Sequence, residues 1–370
     1  MGILDFLCYA FIVVVFFQIL YYLFFLGRFA FLKHQETDSQ NIPVSVIICA
    51  KNEAENLKTF LPSILEQDYH NFEIVLINDA SQDDSLNIMK AFASKHSNIK
   101  LVDVKNIEAF WGNKKYALTL GIKAATHNHL LFTDADCKPV SKHWITEMVS
   151  HFSTNKTIVL GYGAYAKIKN SFLNKLIRFE TFITAIQYFS FAKLGMPYMG
   201  VGRNLAYTKT DFFKVRGFMN HMKIRSGDDD LFINEAANSR NTEICFSKNS
   251  FTTSNPETNY KSWIRQKRRH ISTAKHYKQN HKVLLASIYV FNFLFWILAI
   301  ILLAFQFNLQ VVLSLFLLRI IAQYFALGFS SKKLDEKDLI FFFPILEFFL
   351  IILQLTIFIN NLVSKPNHWK

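Results

Sequence analysis

The chain has 370 residues, 51% of them apolar and 39 of them Phe, and carries 41 Lys and Arg against 28 Asp and Glu for a net charge of +13. That length holds one substantial core plus membrane segments, and an apolar excess combined with positive charge suits an anionic membrane surface and argues against a nucleic-acid partner. Cys8, Cys49, Cys137 and Cys245 are far apart with no CxxC pair, which excludes a zinc cluster or a disulfide framework as the organising principle.

Phe6 to Leu26 is uncharged and long enough to cross about 30 Å of hydrocarbon. Asp5 precedes it while Arg28, Lys33 and His34 follow, the reverse of a signal peptide, so residues 1–34 read as an uncleaved anchor with the next domain cytoplasmic. After a polar linker, Val44 to Ala50 reads as a core strand with Lys51-Asn52-Glu53 as its polar exit. Leu57, Leu61, Ile64 and Leu65 then mark one face of a helix. Phe72 to Ile77 is a second strand ending in Asn78-Asp79-Ala80-Ser81, and Ile99 to Val104 a third. Strand, helix, strand, helix predicts right-handed crossovers and a parallel sheet.

Gly112-Asn113-Lys114-Lys115 opens a helix whose first turn suits a phosphate, since unpaired amides and a point charge act together; a solvated lysine pair is the bland alternative. His129 to Cys137 follows, an apolar strand running into Asp134-Ala135-Asp136. In an extended segment these carboxylates face one way at the carboxyl edge of the sheet, where ligands of open α/β sheets bind. Two close carboxylates invite a hard cation, Mg²⁺ or Mn²⁺, that also holds a diphosphate; an acidic turn without ligand is the alternative.

Trp144 to Phe152 predicts a helix and Ile158 to Ala166 a strand. Residues 170–194 are aromatic with helical spacing, either lying in the membrane interface or forming a core helix. The passage Tyr198 to Tyr207, with Gly202, Arg203 and Asn204, is tight enough for backbone to approach a ligand. Gly227-Asp228-Asp229-Asp230 is a second acidic cluster, an over-endowed helix cap or the source of a general base, because like charges raise the pKa of one member.

Lys261 to Lys282 is rich in Lys, Arg and His and free of acids. Because the uncharged Val283 to Phe307 follows directly, anchoring to lipid head groups explains it better than DNA or RNA. Leu309 to Gly328 and Leu339 to Val363 are further apolar segments, each with one conspicuous charge. Arg319 lies about 13 Å, and Glu347 about 12 Å, above the cytoplasmic ends of their helices, and equal depth predicts a pair. Pro344 leaves the last segment either spanning, as the fourth span, or re-entrant; Lys365 and Lys370 weigh against an external C-terminus.

In order, Asn52-Glu53, Asn78-Asp79-Ala80-Ser81, Gly112 with Lys114 and Lys115, Asp134-Ala135-Asp136, Gly227-Asp228-Asp229 and Gln266-Lys267-Arg268-Arg269-His270 resemble the motifs of the family 2 inverting glycosyltransferases over Val44 to His270. This group of membrane-attached enzymes includes cellulose, chitin and hyaluronan synthases and ceramide glucosyltransferase. The resemblance implies an α/β GT-A domain, cytoplasmic, at residues 35–270, with 170–194 as an interfacial region. A basic juxtamembrane segment follows at 271–282 and a C-terminal region of two or three spans at 283–370, in a bacterial plasma membrane. It implies a nucleotide-sugar donor, with a UDP-sugar as first choice, met by Glu53, Asp79, Asp134, Gln266, Arg269 and a lysine, Lys115 ahead of Lys114. Asp136, with Asp134, would hold Mg²⁺ or Mn²⁺, and Asp229, with Asp228 as fallback, would be the general base. His270, Gly202, Arg203 and Asn204 would face acceptor or product. One departure stands out: the usual Gln-x-x-Arg-Trp ends here in His270, which removes the aromatic platform for an acceptor sugar and favours a lipid or lipid-linked acceptor. A processive polysaccharide synthase and an inactive nucleotide-binding scaffold are the alternatives.

Overall fold

A computed structural model describes residues 2–33, 40–105, 114–224 and 226–364. Most of the expected linker, Gly112, Asn113, Lys365 and Lys370 lie outside the described residues. The chain forms two compact units: Met1–Lys33, Ile168–Leu194 and Thr258–Asn367 make up one, and His34–Lys167 with Gly195–Glu257 nearly all of the other.

The second unit is built on a seven-stranded mixed sheet. Its strands are β1 (Val44–Ala50), β2 (Phe72–Asp79), β3 (Ile99–Val104), β4 (His129–Asp134), β6 (Ile158–Leu160), β8 (Leu205–Thr208) and β9 (Thr242–Ile244), in the order β3-β2-β1-β4-β8-β6-β9. β5 (Cys137–Pro139), β7 (Gly163–Tyr165) and β10 (Thr252–Ser254) form a small second sheet in the order β5-β10-β7. β1, β2, β3 and β4 run parallel, and β8 is antiparallel to both β4 and β6. β1 and the centre of β4 are mostly apolar because sheet faces on both sides are covered: Val44, Val46, Ile48, Ile74, Leu76 and Leu131 pack with Leu57, Leu61 and Ile64 of helix Ala54–Leu65 and with Trp144 and Met148 of helix Trp144–Val149. The parallel order brings the carboxyl ends of β1, β2 and β4 to one edge. Helix Lys114–Ala124 is drawn onto β2 at Gly121, where an added Cβ would come within 2.1 Å of Ile77 Cδ1.

Two expected elements differ. Ile158 to Ala166 is two strands in different sheets, since at Gly161 the backbone crosses Asn204, whose Nδ2 donates to the Tyr162 carbonyl at 2.9 Å. Asp134 ends β4, but Ala135 and Asp136 lie in the turn to β5, so the two carboxylates are presented by a strand end and a turn, not by one extended segment.

The other unit holds four helices, among the described residues, long and apolar enough to cross a membrane: Ile3–Ala30, Gln279–Ala304, Leu309–Lys333 and Lys337–Val363. Pro344 falls in the first turn of helix Phe343–Val363, where its missing N–H costs nothing, and the helix continues unbroken. Arg319 Nη2 donates to Glu347 Oε1 at 2.7 Å, both side chains buried. Sequence reasoning found that pair but not its uncharged partners. Arg319 Nε donates to Gln18 Oε1 at 2.9 Å, Gln18 Nε2 to Asn292 Oδ1 at 2.7 Å, and the Tyr22 hydroxyl to Glu347 Oε1 at 2.6 Å. All four apolar helices therefore contribute to one buried polar network. Helix Phe172–Lys193 is buried around most of its circumference within this unit. Its internal charges are consumed, Arg178 by Glu336 and Asp338, and Glu180 by Lys267.

Candidate active site

The carboxyl ends of β1 and β2 are tied to each other. Asn52, in left-handed backbone at φ 56°, accepts the Gln82 amide at 2.8 Å, and its own amide donates to Ser81 Oγ at 3.1 Å. The Glu53 amide donates to Ser85 Oγ at 2.8 Å, and its carboxylate accepts from Asn56 Nδ2. Asp79 closes β2, buried, 3.8 Å from Lys51 Nζ; burial raises its pKa while Lys51 and Lys114 pull it back. Lys51 was read from sequence only as part of a polar exit. Its position directly after a core strand, beside an acid at the next strand's exit, was the available signal.

Lys114 organises the centre. It begins helix Lys114–Ala124, and its Nζ sits 2.7 Å from Asp134 Oδ1 and 3.1 Å from Asp228 Oδ2. Burial works against its charge, but Asp134 and Asp228 outweigh burial and hold the ammonium well above its ordinary range. Lys114 in turn holds Asp228 below the carboxylate range in spite of burial. Ile47, Cys49, Phe132, Thr133, Leu205 and Tyr207 form the apolar floor beneath Lys114, Asp134, Asp228 and Asp229.

Lys115, expected ahead of Lys114 at the diphosphate, directs its Nζ to backbone carbonyls of the fold. Its side chain is buried, and Nζ donates to the carbonyls of His221 at 2.8 Å, Ile224 at 3.0 Å and Ser226 at 2.8 Å. The residue fastens the segment that leads into the second acidic cluster. Gly227 follows at φ +91°, where a Cβ would meet Leu231 Cδ1 at 2.5 Å, so only glycine makes this turn into helix Asp230–Ala236.

Asp229 is the N-cap of that helix. Its two carboxylate oxygens accept backbone amides, Oδ2 from Gly202 at 2.7 Å and Oδ1 from Asp230 at 2.8 Å. Burial first, then the neighbouring Asp228 and Asp230, push its pKa up to about 7, and the two amides only partly oppose them. A carboxylate fixed in orientation, with free lone pairs and a pKa near neutrality, has the properties of a general base.

Gly202 thus meets the centre through its amide, whereas Arg203 and Asn204 spend their polar groups on the fold. Arg203 donates to the carbonyls of Ala164 at 2.9 Å and Gly163 at 2.7 Å and to Ser254 Oγ at 2.8 Å, over the ring of Tyr165. Asn204, fully buried, donates to the carbonyls of Tyr162 and Ser250 and accepts from Trp144 Nε1. Of the three residues expected to face acceptor or product, Gly202 bonds directly to Asp229.

Asp134 and Asp136 supply two carboxylates, and burial and then Asp134 raise the pKa of Asp136. No group of three His, Cys, Asp or Glu able to hold a metal occurs among the described residues. Two carboxylates nevertheless fit a hard divalent cation that completes its shell with diphosphate oxygens and water, and the mutual repulsion of this pair is what such a charge relieves. Gln266, Arg269 and His270 lie on helix Tyr260–Ile271 of the other unit; His270 is exposed there, and the adjacent Arg268 caps the end of helix Phe343–Val363 through Asn361 Oδ1 and the Asn360 and Ser364 carbonyls.

Residues 45–225 match the model of glycosyl transferase family 2. Among curated relatives, glycosyltransferase AglE of Haloferax volcanii is 28% identical over 193 residues, 50% of this chain and 58% of that protein. The poly-beta-1,6-N-acetyl-D-glucosamine synthase of Staphylococcus epidermidis is 34% identical over 104 residues, 28% of this chain and 23% of that one. The chain thus spans less than two thirds of the length of such relatives. Among solved structures, the mannosyltransferase PcManGT from Pyrobaculum calidifontis, in complex with GDP-Man and Mn²⁺, shares the fold at a TM-score of 0.60 and 17% identity, covering 90% of this chain and 99% of that one. The match runs through β1, β2 and β4, whose ends carry the acidic edge, and residues 45–225 therefore have a GT-A-like glycosyltransferase family 2 fold.

Proposed function

We propose that the protein transfers a sugar, with inversion, from a nucleotide-sugar donor to a hydroxyl of a membrane-associated lipid or lipid-linked acceptor, with Asp229 as general base. The observation that carries the reading is the division of labour at the sheet edge. Lys114 keeps Asp228 ionised, while Asp229, one residue on, is oriented by two amides and has a pKa near 7.

In the reaction, the Asp229 carboxylate takes the proton of the acceptor hydroxyl as that oxygen bonds to the anomeric carbon. The bond from that carbon to the diphosphate breaks on the opposite face, and nucleoside diphosphate leaves with the electron pair. Lys114 is the cation at hand for the leaving diphosphate. Asp134 and Asp136 would hold Mg²⁺ or Mn²⁺, which when bound neutralises charge on the diphosphate. Asp79 and Glu53, at the exits of β2 and β1, are suited to the nucleoside. Four apolar helices and the loss of an aromatic at His270 support a lipid acceptor, and the positive-inside rule supports a cytoplasmic sheet unit in a bacterial plasma membrane. A polymer product is the second reading, favoured by the synthase relative.

The test is release of nucleoside diphosphate from a panel of nucleotide sugars, UDP-sugars first, by detergent-purified protein with Mg²⁺ or Mn²⁺ and with or without membrane lipid. Lipid-dependent turnover is the expected result. Lipid-independent turnover with a growing saccharide would favour the polymer reading, and binding of donor without turnover would overturn both.

A further inference from the structure

Within the apolar-helix unit, a recess of about 440 Å³ lies between the first apolar helix and helix Gln279–Ala304, with Tyr21, Phe25, Leu284, Ile288 and Phe291 among its walls and Leu194 closing one side. It has a local cause. Residues Tyr21–Leu26 form a π-helical turn, and such turns are frequent at functional sites. Two successive tyrosines at its start take different duties: Tyr22 turns into the buried network with Arg319 and Glu347, while Tyr21 lines the recess and accepts a hydrogen bond from Gln187 at 2.8 Å.

Two observations define what fits. First, the polar side chains in the walls are already satisfied: Gln18 is bonded to Asn292 and Arg319, and Ser287 Oγ donates to the Leu284 carbonyl at 2.9 Å. The interior therefore offers an occupant only apolar contact. A void of this size left empty would forfeit those contacts outright, and in a bilayer the available filler is a hydrocarbon chain. Second, the wall of the recess carries a cation. Arg28 lines the recess itself, exposed and without an acidic partner among the described residues. Among the described residues no acid lines the recess.

We propose that this recess is a binding site for the apolar chain of a phosphate-bearing membrane lipid, with the phosphate received by Arg28. The site is independent of the identity of the sugar acceptor, and its test does not use turnover.

The full chain is reconstituted in phosphatidylcholine nanodiscs containing a small fraction of phosphatidic acid with a photoactivatable diazirine in its chain; diazirine-bearing phosphatidylcholine serves in parallel, and labelled peptides are mapped. The expected label from phosphatidic acid concentrates on residues 17–28 and 284–291. It is displaced by unlabelled phosphatidic acid but not by phosphatidylcholine, and it falls at least about fivefold in Ile288→Trp, which fills the recess. Arg28→Gln should reduce the preference for the phosphate monoester about fivefold, the effect of one interfacial cation. Label spread evenly over all four apolar helices, equal labelling by both lipids, or undiminished labelling in a folded Ile288→Trp would each overturn the proposal. If that variant fails to fold, the competition with unlabelled lipid on the wild-type protein decides alone.

Discussion

Replacing Asp229 by Asn should damage turnover and, at neutral to alkaline pH, help stability. The side chain accepts two backbone amides and carries a pKa of about 7, against 3.8 for an ordinary aspartate. Between those values the folded state holds a proton that the unfolded state has lost, so stability falls as pH rises from about 3.8 to about 7 and stays lower above that. At about 1.4 kcal/mol per pH unit the displacement corresponds to about 4 kcal/mol, reduced to about 1–2 kcal/mol because the carboxyl is only half-buried and partly screened by solvent. Asn does not ionise and escapes this penalty. It also loses one of the two amide contacts, a cost of about 1 kcal/mol that does not change with pH. The melting temperature of the variant relative to wild type should therefore rise by a few degrees between pH 5 and pH 8, measured by thermal unfolding in detergent. Over the same range kcat should be about 10²–10⁴-fold below wild type, with donor binding nearly unchanged. A melting difference that is flat with pH would show that Asp229 is not the group titrating near neutrality, and kcat within tenfold of wild type would remove it as the base.

The remaining expectations concern the groups around it. Asp228 is the neighbouring charge that contributes most, after burial, to raising Asp229, so Asp228→Asn should move the acid limb of kcat/KM from about pH 7 to lower pH; an unmoved limb would mean the charges are not coupled. Lys115→Met removes three carbonyl contacts from the segment before Gly227 and should lower kcat about 10²-fold with a small change in donor KM, whereas Lys115→Arg should restore part of the loss. A rise in donor KM alone would instead make Lys115 a diphosphate ligand. Arg319→Leu and Glu347→Leu should each cost about 3–5 kcal/mol, since either leaves a buried charge alone, while the double variant should cost less than the worse single; additive costs in detergent unfolding would refute the coupling.

Much of this molecule is legible in the chain because its strongest signals are local. β1, β2 and β4 are mostly apolar runs with polar exits, and a parallel sheet puts such exits on one edge whatever else the chain does. The pairing of Arg319 with Glu347 follows from helix rise and the cost of charge in hydrocarbon. Gln18, Tyr22 and Asn292 escaped the same argument because an uncharged polar residue at that depth carries no comparable penalty to mark it. The division of Ile158 to Ala166 into two sheets was not legible either, because its cause is Asn204, a residue some forty positions away along the chain.

The two lysines at the start of helix Lys114–Ala124 show where local reading stops. Successive helical residues point about 100° apart, so at most one of the pair faces the acidic edge and the other must find a different partner or be left charged in the interior. Sequence supplies the pair and the constraint, but not which lysine takes which duty. That is fixed by where the fold brings the carbonyls of His221, Ile224 and Ser226, which converge on Lys115. The outcome links the site's two halves. One lysine joins the β4 carboxylate to Asp228, while its neighbour holds the segment from which Gly227, Asp228 and Asp229 emerge. A single helical turn thus sets both the charge of Asp228 and the place of Asp229, and through Asp228 the basicity of Asp229. The acid that would do the chemistry is tuned by residues over a hundred positions earlier in the chain, which is why Asp229 is recognisable from its motif while its pKa is not.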